Sequence, residues 1–267
     1  MAETDPVHFF DITSNFTGVS RSGSPNTLKV RTVLNFKKIP YTQSWVSYPD
    51  IEPLMKGLGV GPNSAGREYT LPAIVHKSIK SNANNAMMDS LPIVEHLDKI
   101  FPERPLFPSG EASYALFLAV NNLMIRLSPA IRSLVIPNVP KHLDPRGAEY
   151  FIRTRSAAFG KPLAEVRPTD EREIAELWEG MKKELGGLIT VLKGREGKKG
   201  PFFEGETAGY VDLFFVCHLA FFHRFDRELW EKVMAEGEGE LRALWDACLP
   251  WLEGQGEEKE WAIPGDA

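Results

Sequence analysis

The sequence predicts an α/β unit over residues 1–103 and an all-helical unit over residues 108–267. Three observations predict this division. Near the N-terminus, two strand-like runs rich in aromatic and β-branched residues flank a helical apolar pattern, the order of a parallel crossover unit. A second pair of short runs then leads into another helix. Beyond the Pro-rich connection Glu103-Arg104-Pro105-Leu106-Phe107-Pro108, the apolar patterns have helical spacing.

Residues 7–12 form the first strand, and residues 13–23 a Ser/Thr/Gly loop. Ser24 and Pro25 open a helix as its cap and first residue. Leu28, Val33 and Leu34 give that helix an apolar face as far as Lys38, and Ile39-Pro40 ends it. Residues 41–48 form the second strand. Residues 50–67 are irregular, with a short helical turn over 52–58. Residues 70–76 and 85–88 pair as a hairpin, and residues 89–101 form a closing helix. This element order is that of a thioredoxin-like domain.

In the second unit, residues 111–136 make a long helix kinked at Pro129. Residues 145–160 make another, and Thr169-Asp170 caps a third that runs to Lys193. Gly209 and Asp212 start a strongly apolar helix through Phe225, with Asp212 reaching back to the helix-start amides. Residues 229–251 are again helical. The acidic stretch over 253–260 reads as a loose tail.

The richest local pattern lies between Tyr69 and Ser90. Leu71-Pro72-Ala73-Ile74 reads as a buried strand entered through a proline, which belongs at a first strand residue, an edge or a bulge. A cis bond at Leu71-Pro72 turns the preceding backbone outward, toward a ligand. Asp89-Ser90 reads as a capped helix start with Pro92 in its first turn. Such a start suits a carboxylate ligand. The Ser24 junction faces the same end of the sheet, where a helix N-terminus favours a thiolate.

A strand-entering proline followed by an Asp-Ser helix start resembles the glutathione-binding pattern of glutathione transferases. The run from Ser24 through Tyr41, with Trp45-Val46, Tyr48-Pro49-Asp50 and Pro53, is similar to the fungal FuA-type class, related to bacterial β-etherases. Tyr150-Phe151, Thr154-Arg155 and Phe159-Gly160 extend the likeness into the second unit. The resemblance implies a thioredoxin-like domain joined to an all-helical substrate-binding domain. It implies glutathione as co-substrate, held at Tyr69, Thr70, Leu71, Pro72, Asp89 and Ser90, and a hydrophobic small molecule as second substrate. It also implies a homodimer.

Family members place Tyr, Ser or Cys at the sulfur. No Tyr precedes Tyr41 and no Cys precedes Cys217, which leaves serine chemistry or none. Ser24 is the first candidate and Ser22 its nearest competitor, with Thr17 and Ser20 further off. Asn26 either assists through its amide or is a solvated first-turn residue. Family members also carry a basic residue before the strand proline. Tyr69 and Thr70 stand there instead, so Arg67 or Lys56 is left to meet the glycyl carboxylate. Phe117, Asn121, Met124, Phe151 and Phe159 are candidates for an apolar lining, or for plain core.

The chain has 267 residues, 43% of them hydrophobic and 25% charged, with a net charge of −5. That balance argues against a nucleic-acid partner. No apolar run is long enough to span a membrane, and no signal peptide is evident. Cys217 and Cys248 sit in apolar helical patterns as buried thiols, which suits the cytoplasm. His218 and His223 are five apart, so they do not share a helix face, and no metal is expected. The sequence has no P-loop, nucleophile elbow or dinucleotide fingerprint. The predicted activity is attack of the glutathione thiolate on an aromatic or unsaturated electrophile, with ether cleavage or isomerisation as variants. The alternative is a weakly catalytic carrier of aromatic ligands.

Overall fold

Alternation along the first strand sets the layers of the α/β unit. A computed structural model describes residues 6–264. It divides into two units: one holds the chain up to Arg104, Leu143–Tyr150 and the chain from Pro250 onward, and the other holds Pro105–His142 and Phe151–Leu249.

In the first unit, β1 (Val7–Ile12) is buried along its whole length. Phe9 and Asp11 point toward α1 (Pro25–Phe36), where the Arg31 guanidinium meets both. Phe10 and Ile12 point the other way, into a cluster with Leu54 and Met55 of α2 (Ile51–Gly57). β2 (Tyr41–Val46) runs parallel to β1, from Val7↔Tyr41 to Ile12↔Val46. That is the crossover the sequence predicts. β3 (Ala73–Val75) and β4 (Ala86–Met88) form the antiparallel hairpin, and α3 (Ser90–Ile100) packs beside α1.

Two expectations fail here. The strand foreseen over 70–76 shrinks to three residues, because Thr70 to Pro72 form an irregular entry instead of pairing. The tail foreseen as loose is built into the sheet. β5 (Glu257–Glu258) lies parallel to β2, giving the order β4-β3-β1-β2-β5. Its acidity misled: the stretch is held through its backbone, which composition does not report.

The tail and residues 143–150 group with the first unit, where the sequence reading places 108–267 in a helical unit. Arg146 makes a two-pronged ion pair with Asp50, at 3.0 and 2.5 Å. Asp144 accepts from the Ser47 hydroxyl, and Asn15 donates to the Leu143 carbonyl at 2.6 Å. These bonds place a short segment from mid-chain in the first unit.

The second unit is helical as predicted. The long first helix breaks into α4 (Glu111–Arg126) and α5 (Ser128–Leu134), bent by 49° just before Pro129. α6 (Pro145–Phe159) begins in the first unit and ends in the second. α7 (Glu171–Lys193) is capped by Asp170, which accepts from the Arg172 and Glu173 amides. α8 (Tyr210–Phe225) is buried almost throughout, and α9 (Arg227–Met234) and α10 (Glu240–Glu253) follow it. Asp212 accepts from the Gly209 amide, as expected, and also from the Phe203 amide, each at 2.8 Å. Burial pushes its carboxyl up to about 7. Phe117, Met124 and Phe151 are core, whereas Phe159 is half-buried with Arg132 over its ring.

Candidate functional site

The register of the sheet gathers the predicted residues at one end. β1 and β3 are antiparallel with Phe10 opposite Ala73. The residues just before β3 therefore lie level with the end of β1, from which the chain leaves toward α1. β4 is antiparallel to β3, with Met88 opposite Ala73, so Asp89 also comes out at that end.

The Leu71-Pro72 bond is cis. The Pro72 carbonyl accepts the Asp89 amide at 3.1 Å. Leu71 is buried, yet its N–H and C=O have no hydrogen-bond partner among the described residues. Buried backbone groups are rarely left this way, so a pair of them marks a place where another chain can dock.

Asp89 has φ +77°, a region that a non-glycine residue adopts at a cost of about 1–3 kcal/mol. Its side chain does not cap α3, contrary to the capped start read from the sequence. Instead Oδ1 accepts from the Thr70 hydroxyl at 2.8 Å, which ties the carboxylate to the strand entry. The start of α3 is thereby left without a side-chain cap, beside the half-buried Ser90. A carboxylate set beside a helix start has the chemistry to meet an ammonium and a carboxylate together.

Ser24 occupies the N-cap position of α1, half-buried, with φ −69° and ψ 127°. Its carbonyl accepts from the Leu28 amide at 3.0 Å and the Thr27 hydroxyl at 3.2 Å. Its hydroxyl makes no capping bond and has no partner among the described residues. Ser22 differs: it is fully buried, and its hydroxyl donates to Asp11 Oδ2 at 2.5 Å. Asn26 is exposed and accepts from Lys29 Nζ at 2.9 Å. Lys56 pairs with Glu52 at 2.7 Å and sits over the Tyr69 ring.

Sequence reasoning missed the ground beneath Ser24. Asp11 and Arg31 form a fully buried ion pair at 2.8 Å, and Asp11 Oδ2 also takes Arg31 Nε at 3.2 Å and the Ser22 hydroxyl. The signal was present: an Asp on the inward phase of β1, and an Arg among Leu28, Val30 and Leu34. A groove of about 850 Å³ opens in the same unit, lined among others by Thr13, Phe10, Trp45, Ser47, Leu54 and Trp261.

A thioredoxin-like domain joined to a helical unit, with a cis-proline strand entry, defines the transferase class of fold. Comparison with known proteins agrees. Residues 19–105 match the model of the glutathione S-transferase N-terminal domain, and residues 115–251 that of the C-terminal domain. The glutathione S-transferase-like protein ustS of Aspergillus flavus is 56% identical over 98% of this chain and 96% of its own. Among solved structures, a glutathione S-transferase of Ceriporiopsis subvermispora in complex with glutathione superposes with a TM-score of 0.80 at 30% identity, over 92% of this chain and 98% of that one. The FuA3 glutathione transferase of Phanerochaete chrysosporium gives 0.79 at 28%, over 93% and 98%. The chain belongs to the glutathione S-transferase family.

Proposed function

We propose that the protein is a serine-type glutathione transferase. The γ-glutamyl end of glutathione lies between Asp89 and the start of α3 with Ser90, and its cysteinyl backbone pairs with the Leu71 N–H and C=O. Pro72 and Thr70 shape that edge, and Tyr69 flanks it. The sulfur lies at Ser24. The hydroxyl there donates to the thiolate, and the N-terminal end of α1 adds its partial positive charge. A thiol held ionised at neutral pH is already a strong nucleophile, so no further base is required. It attacks an electrophilic carbon of a hydrophobic, aromatic or unsaturated molecule; ether cleavage and isomerisation use the same thiolate. Ser22 supports the loop from below, and Asn26 contributes its backbone amide at the helix start. The reading includes a homodimer and a cytoplasmic location.

The observation that carries this reading is the Leu71 backbone, buried and unpaired beside the carboxylate that Thr70 holds. The supporting experiment compares native protein with Ser24→Ala for glutathione affinity and for turnover of a generic aryl halide. Retained affinity with a large loss of turnover supports the enzyme. A second reading, a carrier of aromatic ligands, draws on the groove beside Phe10, Trp45 and Trp261. Unchanged slow turnover together with tight binding of a phenolic dye favours the carrier.

A further inference from the structure

The chain after α10 lies in the first unit and reaches the loop that carries Ser24 directly at one point and through α1 at a second. The first is Glu258 in β5. Its Oε1 accepts from Trp45 Nε1 at 2.8 Å and pairs with Arg21 Nη1 at 3.2 Å, while the Arg21 guanidinium lies over the Trp45 ring. Arg21 belongs to the loop between β1 and α1, and its carbonyl accepts from the Ser14 hydroxyl at 2.7 Å, closing that loop on itself. The second is Gln255. Its Oε1 accepts from Arg31 Nη1 at 3.0 Å and from Gln43 Nε2 at 3.3 Å. Arg31 in turn holds Asp11, and Asp11 holds the Ser22 hydroxyl, two residues from Ser24.

The return path is fitted closely to its bed. Asn35 Nδ2 donates to the Trp251 and Gly254 carbonyls at 2.7 and 3.1 Å. A Cβ at Gly256 would lie 2.5 Å from the Tyr41 ring and 2.7 Å from the Tyr41 carbonyl, so only glycine passes there. The Lys259 amide donates to the Gln43 carbonyl at 2.8 Å, and Trp261 packs on Phe10 and His8.

We propose that this C-terminal strap, residues 255–259, is a working part of the thiol site. Resting on the assignment of Ser24 to the sulfur, the inference makes Glu258, Gln255 and Arg21 positioning residues that hold the loop so that the Ser24 hydroxyl faces the thiolate. The Asp11–Arg31 pair is the rigid joint through which Gln255 acts. The strap contributes no group to the reaction.

The test uses the full chain with Glu258→Gln and Gln255→Ala, a chain ending at Glu253, and Glu260→Gln as an exposed control. Two readouts separate the strap from the glutathione reading. The first is amide hydrogen exchange over residues 14–24 without ligand. It is expected to quicken on the order of tenfold in E258Q and Q255A and further in the shortened chain, and to stay native in E260Q. The second is the ultraviolet thiolate absorbance of bound glutathione against pH. Its midpoint is expected to move up by about one pH unit in E258Q, with KM for glutathione nearly unchanged, because the loss is one of orientation at the sulfur. Should the shortened chain fail to fold, E258Q and Q255A carry the test alone. Native exchange over residues 14–24 in both single variants overturns the proposal. Quickened exchange with an unmoved thiolate midpoint overturns its catalytic half. A native protein without any thiolate band refutes the glutathione reading, and with it the strap's role in catalysis, while the exchange result stands on its own.

Discussion

The two ends of the same sheet treat their backbone in opposite ways. At the β2 side, β5 pairs the exposed edge, the side chains of Gln43 and Ser44 bond to the strap backbone, and Asn35 bonds to the carbonyls just before it. At the entry to β3, Leu71 is buried with its N–H and C=O unpaired, and Asp89 is held at positive φ. Among the described residues, one place is bonded by the chain's own groups and the other is left open. The difference teaches where to look for function. A fold that covers the β2 edge with its own C-terminal segment, yet leaves the entry to an interior strand open, offers that entry to an added partner.

The comparison can be pressed hardest at the closed side. Arg31→Met strands the Asp11 carboxylate without a counter-charge and is expected to cost about 3–5 kcal/mol in chemical unfolding. An unchanged midpoint would mean that the joint is ornamental.

The next effect is one of pH, at the same edge. Ser44 donates its proton to the Lys259 carbonyl, so His8 Nε2 must donate to Ser44 at 2.9 Å, and Nδ1 accepts from Thr42 at 2.7 Å. Burial, with the nearby Lys259 charge, pushes His8 down to about 4 from its usual 6.5. The unfolded chain therefore takes up a proton between those values that the folded protein refuses. This contribution to stability is present above pH 6.5 and lost as pH falls through about 4, on the order of 2–3 kcal/mol. His8→Gln should flatten that part of the stability–pH curve; a curve as steep as the native one assigns the loss to other groups.

At the open side, the proposed role of Ser24 makes Ser24→Ala remove a hydrogen bond to a charged sulfur, worth about 1.5–3 kcal/mol. The expected loss in kcat/KM is on the order of tenfold to a hundredfold near neutral pH, with the unfolding midpoint unchanged. A smaller effect belongs to Ser90→Ala, which should raise KM for glutathione on the order of tenfold or less and leave kcat alone. A drop in kcat instead would move Ser90 from binding toward the reacting sulfur.

The sequence carried most of the first unit because its signals are local. Ser24-Pro25 fixes a helix start by cap and ring, and Leu71-Pro72 with Asp89-Ser90 fixes an edge and a helix entry by residue type alone. What it hid is long-range. No spacing tells that Glu258 meets Arg21, or that Arg146 reaches back to Asp50, since those partners are 237 and 96 residues apart. Asp89 was legible as a helix-start residue, but its turn away from the helix toward Thr70 depends on a backbone angle that composition does not encode.

The central claim is that glutathione supplies the partners the Leu71 backbone lacks. The most direct measurement is a titration of isotopically labelled protein with glutathione, following the amide resonances of Leu71 and Asp89 together. The account predicts that both shift and saturate on a single binding curve, and that the Leu71 amide becomes protected from exchange. A Leu71 resonance that stays in place at glutathione saturation, while other amides move, contradicts it.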